Sequence, residues 1–148
     1  MSSYKQGYFT PNFKQKYNGD SNNIVYRSGW EKSVMSWLDM NPDVTKWSSE
    51  EFVIPYICKT DNRKHRYYID FVVEFKSGVK MLIEVKPDKQ IAKPVVSGKK
   101  VTKRLVEEVT VYAKNSSKWE AASAWCINNG YIFQIWGETA LKRLGIKI

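Results

Sequence analysis

Two apolar runs, residues 66–75 (RYYIDFVVEF) and 79–86 (VKMLIEVK), flank Lys76-Ser77-Gly78. Aromatic and β-branched runs separated by a short Gly-containing segment read as a β-hairpin. Strand side chains alternate between faces, so Glu84 and Lys86 share one face while Ile83 and Val85 take the other. A three-residue turn at 76–78 pairs Phe75 with Val79, and counting back in that register sets Asp70 opposite Glu84. A two-residue turn would slip the pairing by one and part the two acids. The expected hairpin therefore uses the three-residue loop, or an equivalent bulge, and clusters Asp70, Glu84 and Lys86.

Two carboxylates held together repel unless a cation compensates them. An oxygen-rich site without histidine suits Mg²⁺, which takes one or two carboxylates, water and a substrate phosphate. Such a metal polarises a scissile phosphate and activates water, and Lys86 is placed to orient that water or neutralise charge. The competing reading is a solvated, salt-bridged hairpin face. The flanks argue against it, because Tyr67-Tyr68-Ile69 with Phe71-Val72, and Met81-Leu82-Ile83, embed the charges in apolar strands.

The remaining elements frame that hairpin. A helix is expected from about residue 28 to residue 40, stopped before Pro42, with Trp30, Val34, Trp37 and Leu38 as its apolar stripe. Glu31 lies at the edge of that stripe, at the core rim or pointed into the site, where it could reach a metal directly or through water. Residues 50–59 read as a strand that Pro55 confines to an edge or a bulge. Residues 87–100 read as a Lys-rich loop. Val101, Leu105, Val109 and Tyr112 keep helical spacing to about Lys114. Ser117-Lys118-Trp119-Glu120 resembles a capping box opening a second helix, which Gly130 ends. Residues 131–136 read as a strand and 139–144 as a closing helix. The expected division is an irregular basic, aromatic arm over 1–26, with Tyr4, Tyr8, Phe9, Phe13 and Tyr17 packing on the rest, and a single domain over 27–148. The fold class is α/β (mixed α+β), a helix, a three-stranded antiparallel meander, helices, a strand and a helix around a mixed sheet.

At 148 residues the chain is long enough for one sizeable core. Its 24 Lys and Arg against 15 Asp and Glu leave a net charge of +9, the kind of surface that serves a polyanion. Neither of the two cysteines, Cys58 and Cys126, belongs to a C-x-x-C pair, so a structural zinc site lacks its usual ligands and both read as buried thiols in a reducing compartment. No apolar run approaches the roughly 20 residues of a membrane span, and the first residues have no signal-peptide core, so an intracellular protein without membrane contact is expected.

These residues resemble the PD-(D/E)XK nuclease superfamily. The match is Ile69-Asp70-Phe71 and Glu84-Val85-Lys86, with thirteen residues (71–83) between Asp70 and Glu84, preceded by the helical Glu31. Residues 27–136 are covered, and the element order is similar to that family's restriction-endonuclease-like core. Arg27-Ser28-Gly29-Trp30-Glu31, the Tyr67–Phe71 stretch and Glu84-Val85-Lys86-Pro87 are most similar to the TnsA-type branch. The short length and basic Tyr-rich arm further resemble the head completion nucleases of T-even-like tailed phages. The resemblance implies Mg²⁺-dependent hydrolysis of DNA phosphodiesters, with Mn²⁺ as a substitute, leaving 5′-phosphate and 3′-hydroxyl ends. It implies metal ligation by Asp70, Glu84, Glu31 and the Val85 carbonyl, and assistance to the nucleophile by Lys86. It also implies packaged DNA ends as substrate, phage head or portal proteins as partners, and location in the virion and host cytoplasm, or in the cytoplasm if the gene is not a phage's.

DNA contacts are expected from Arg27, from the Arg63, Lys64 and Arg66 cluster, and from Lys89, Lys93, Lys99, Lys100 and Lys103, with Lys118 a weaker candidate. A solvated loop is the competing reading for each lysine. No base-reading motif is present, which favours structure-specific or nonspecific cutting. His65, with no acid partner evident nearby, is read as a phosphate contact. Two other function classes stand beside the nuclease: a DNA-end-binding structural virion protein with little turnover, and a restriction, repair or transposase subunit that cuts only with a partner.

Overall fold

In the computed structural model, which describes residues 6–98 and 100–148, the 76–78 turn is the three-residue loop. Gly78 N–H donates to the Phe75 carbonyl at 2.9 Å and Phe75 N–H to Val79 at 2.8 Å. Gly78 has φ 94°, a left-handed conformation that closes the loop without a Cβ clash. The chain runs β1 (Gly7–Phe9), a 3₁₀ turn (Lys14–Lys16), β2 (Ile24–Tyr26), α1 (Gly29–Met40), β3 (Val44–Ser49), β4 (Val53–Ile57), β5 (Lys64–Tyr68), β6 (Phe71–Phe75), β7 (Lys80–Val85), α2 (Asp88–Ile91), α3 (Lys103–Asn129), β8 (Ile132–Trp136) and α4 (Glu138–Arg143).

Four strands form the central sheet in the order β3-β6-β7-β8, antiparallel except for the parallel β7–β8 pair. One face packs Phe71, Val73, Ile83 and Trp47 against α1, α4 and the N-terminal segment. The other packs Leu82 and Ile69 against Trp119, Ala122 and Cys126 of α3 and against β4 and β5. The result is a helix–sheet–helix sandwich of the restriction-endonuclease-like kind. Among the described residues no helix is long and apolar enough to cross a membrane.

The expected meander is corrected in one respect. Its first strand in the central sheet is β3, which is too polar (VTKWSS) to stand out in sequence, although Trp47, Ser48 and Ser49 are buried. The expected 50–59 strand is β4, which pairs with β5 as an outer hairpin, where Pro55 removes no ladder bond of the central sheet. The expected 66–75 strand is divided between β5 and β6 because its neighbour changes at residues 69–70. Val53 pairs with Tyr68 and Ser49 with Phe71, so three residues (50–52) face two (69–70), a β-bulge. Glu50 lies in it with φ 55°.

Three further expectations are revised. The described part of the arm is not irregular: β1 pairs with β2, and Tyr17 and Ile24 enter the core; Tyr4 lies outside the described residues. The segment is tied to α1 by Asp39, whose carboxylate accepts from Asn12 and Phe13 N–H at 2.8 and 3.2 Å. Ser117 caps nothing, because α3 is one continuous helix capped by Thr102, whose hydroxyl accepts from Leu105 N–H at 3.1 Å. The Ser117 hydroxyl instead donates to the Ala113 carbonyl and accepts from Lys59 N–H, tying α3 to the outer hairpin. Of the stripe read from Val101 onward, Val101 precedes α3, and Val109 on the helix stays 41% exposed. α1 begins at Gly29 behind the Ser28 cap, and α3 stops at Gly130, as read from sequence.

The chain around Lys86 is pinned on both sides. Lys86 N–H donates to Trp136 at 3.1 Å, and Asp88 N–H to the Glu138 carboxylate at 2.6 Å. The Asp88 carboxylate accepts from the Thr139 hydroxyl at 2.8 Å. Gly137 makes this closure feasible, since a Cβ there would overlap Asp88 Oδ1 and lie 3.0 Å from the Lys86 carbonyl oxygen. Gly137→Ala is expected to destabilise the fold by about 1–3 kcal/mol in urea unfolding, an overpacking cost. A change under about 0.5 kcal/mol, typical of an unconstrained surface site, would count against this closure.

Candidate active site

The β6–β7 ladder begins at Phe71↔Ile83, and one step beyond it the same register sets Asp70 across from Glu84. There the strand partner runs out, and the Val85 N–H is taken by Asp70 Oδ2 at 2.9 Å instead of by a carbonyl. Glu84 is 6% exposed, and its Oε2 accepts from the Tyr67 hydroxyl at 2.6 Å. Glu31 reaches the same place from α1, where its Oε1 accepts from Arg27 N–H at 3.2 Å. The Arg27 guanidinium grips Glu50 with two bonds, at 3.0 and 3.2 Å. The bulge at Glu50, the start of α1 and the end of the hairpin thus meet in one place.

Their mutual proximity is visible in their acidities. Desolvation raises the Asp70 carboxyl well above the ordinary carboxylate range, and repulsion from Glu84 and Glu31 adds to it against the Val85 N–H and Lys86. Glu84 is raised by desolvation, opposed by the Tyr67 hydroxyl and by the charges of Lys86 and Lys118. Glu31 is raised by desolvation, with repulsion from Glu50 and Glu84. An all-oxygen set that resists ionisation when crowded is the chemistry a hard divalent cation would relieve.

Asp70, Glu84, Lys86 and Glu31 are therefore brought together, with Val85 between the acid and the lysine. Arg27 also joins the cluster, held by Glu50. Arg63, Lys64 and Arg66 are exposed on the outer hairpin, where Lys64 and Arg66 share its outward face with Ile57 and Tyr68. Lys89, Lys93 and Arg104 line a groove between the loop after Lys86 and α3, and Lys100 lines a second beside it. Lys103 opens α3 and is exposed; Lys99 lies outside the described residues.

Two residues near the site, Tyr67 and Glu50, carried no role in the sequence reading. Tyr67 stood in the strand pattern but gave no sign of bonding Glu84. Glu50 is brought in by a bulge that no spacing announces. Lys118, read from sequence as a weaker DNA contact at a helix start, is instead in the middle of α3, with its ammonium 5.7 Å from the Tyr67 ring centroid. His65 is corrected as well: it has an acid partner, Asp61, at 2.7 Å.

Comparison with known proteins comes to the same hairpin. The family described as TnsA-like endonuclease, N terminal, matches residues 41–138, a span that holds Asp70, Glu84 and Lys86 and begins after Glu31. The head completion nuclease of Enterobacteria phage T4 is 39% identical over 144 residues, covering 95% of this chain and 96% of the relative. No solved structure matches the chain.

The raised acids fix a pH dependence. A carboxyl whose folded pKa lies above its unfolded value binds more protons when folded, so its contribution to stability is full in acid and lost as pH rises through the folded value. Asp61, held below the ordinary range by Arg63 N–H and His65, acts only in the more acid window. Metal-free protein should therefore melt at lower temperature as pH rises past the ordinary carboxylate range toward neutrality, and Asp70→Asn should flatten that slope. A flat or rising wild-type curve in scanning calorimetry would contradict the burial assigned to these acids.

Proposed function

The chain belongs to the TnsA-like endonuclease family, and from that membership and the acid cluster we propose that it is a Mg²⁺-dependent DNA endonuclease that completes phage heads by acting on packaged DNA ends. The carrying observation is the convergence of Asp70, Glu84 and Glu31 beside Lys86 at the end of one hairpin. The donor set fits Mg²⁺ because it offers carboxylates and a backbone carbonyl, with no thiolate or imidazole. Asp70, Glu84, Glu31 and the Val85 carbonyl would hold the ion, and Mn²⁺ would substitute. When bound, the metal supplies polarisation of the scissile phosphate and a water of lowered pKa.

The chain's own groups do the rest. Asp70 is held in place through one carboxylate oxygen, which accepts from the Val85 N–H. The Tyr67 hydroxyl fixes the Glu84 carboxylate in the same way. Lys86, anchored through its backbone to Trp136, orients the attacking water and offsets the charge that accumulates on the phosphate. Arg27 is held by Glu50 beside this centre, and phosphate contact by its guanidinium would exchange that partner for the DNA. The outward face of the β4–β5 hairpin, with Lys64 and Arg66, and Arg63 beside its turn form one wall of a duplex track. Lys89, Lys93, Lys100 and Lys103 form the other. None of these contacts reads bases, so cutting is structure-specific or nonspecific, and the products carry 5′-phosphate and 3′-hydroxyl ends. Head or portal proteins are the partners, and the virion and host cytoplasm the places of action.

The test is plasmid nicking in Mg²⁺ by wild type, Asp70→Ala and Lys86→Ala. Wild type should nick, Mn²⁺ should replace Mg²⁺, and Lys86→Ala should lose roughly a hundred- to ten-thousand-fold in rate, the range of a positioned proton-transfer group. Equal nicking by all three would sink the assignment. Binding without cutting by wild type would leave a structural DNA-end protein in its place.

A further inference from the structure

The outer hairpin carries a second cluster of metal-ligating side chains, separate from the acidic centre. Cys58 Sγ, an Asp61 carboxylate oxygen and a His65 ring nitrogen all lie within 4.8 Å of one another. The hairpin itself produces this arrangement. Tyr56 pairs with His65, so Cys58, two residues beyond Tyr56, shares its face with His65. The chain then turns through residues 59–62, with Cys58 N–H donating to the Arg63 carbonyl at 3.0 Å and Asn62 N–H to the Cys58 carbonyl at 2.8 Å. That turn swings Asp61 back over the same face. Asn62 takes φ 55° to close it.

From this geometry we propose that the β4–β5 turn is a Zn²⁺ site, with Cys58, Asp61 and His65 as ligands and a water in the fourth position. Thiolate, imidazole and carboxylate together match the tetrahedral preference of zinc and not the all-oxygen shell that Mg²⁺ requires. A thiolate and a carboxylate with neutral His65 supply two negative charges, which balance a divalent ion. The ligands are already oriented: Asp61 Oδ1 accepts from Arg63 N–H at 2.9 Å, and the His65 ring stacks on Tyr56 at 5.7 Å between centroids. Asp61 Oδ2 and His65 Nε2 stand 2.7 Å apart, against an edge of about 3.3 Å in a zinc tetrahedron. Entry of the ion parts that pair slightly and draws the thiolate inward. The Cys58 sulfur lies 3.1 Å from the Thr60 hydroxyl, a contact that fixes it on the face it shares with His65. Open access comes from the partial exposure of Asp61 and His65, whose side chains are 39% and 41% exposed.

Chelator-dialysed full-length protein, titrated with Co²⁺, tests the site through its absorption. The expected result is a thiolate-to-cobalt charge-transfer band saturating at about one equivalent, erased by Zn²⁺ and unmoved by excess Mg²⁺. His65→Ala, at a partly exposed position that leaves the core intact, should weaken Co²⁺ and Zn²⁺ binding at least about a hundredfold, and Cys58→Ser should remove the band. Asp70→Asn should leave the band unchanged. Absence of the band in wild type, its persistence at full affinity in His65→Ala, or its loss in Asp70→Asn would each overturn the assignment.

Discussion

The hydrogen bond from Val85 N–H to Asp70 is the point on which the site depends. Ahead of the first residue of β6 the ladder has no further carbonyl to offer, and a buried N–H left without a partner costs about 1–3 kcal/mol. Asp70 fills that need with a side-chain oxygen at 2.9 Å. The bond has two consequences at once. It satisfies the backbone where the sheet ends, and it fixes one acid directly across from another. A carboxylate used in this way cannot relax outward to escape Glu84, so the repulsion between the two is built into the strand register.

The surrounding structure limits that repulsion without abolishing it. The Tyr67 hydroxyl holds Glu84, and Lys86 and Lys118 offset its charge from two directions. Tyr67 comes from the outer hairpin and Lys118 from the middle of α3, so both layers on that face of the sheet converge on one carboxylate. On the opposite side, Arg27 and Glu50 satisfy each other beside Glu31. The acids remain raised, a frustrated arrangement of the kind found where function, not stability, has set the residues.

How much of this was legible in the sequence follows from the range of each interaction. The Lys76-Ser77-Gly78 loop fixes register locally, so the opposition of Asp70 and Glu84 could be counted out residue by residue. α1 and the stop at Gly130 are local in the same sense. The division of residues 66–75 was not, because it arises from the bulge opposite it, at Glu50, and the partner strand β3 is polar in composition. Ser117 has the sequence of a cap, but a hydroxyl that can bond Ala113 and Lys59 across the packed layers need not end a helix. His65 was read as lacking an acid because Asp61 stands four residues away, and only the turn between them brings the two together.

The same bent hairpin explains why two kinds of donor set can coexist in so small a chain. Alternation gives β5 two faces: His65 and Tyr67 point inward, while Lys64, Arg66 and Tyr68 point outward. Going along the inward face, His65 belongs to the turn with its thiol and carboxyl, and Tyr67, two residues on, already bonds Glu84. One strand therefore joins a mixed sulfur, nitrogen and oxygen cluster at the tip to an all-oxygen cluster at its base. Ligand softness keeps their preferred ions apart, since a thiolate selects against Mg²⁺ and a carboxylate set without imidazole favours it. Order imposed at the tip also bears on the base, because anything that stiffens β5 narrows the positions open to the Tyr67 hydroxyl, and through it to Glu84.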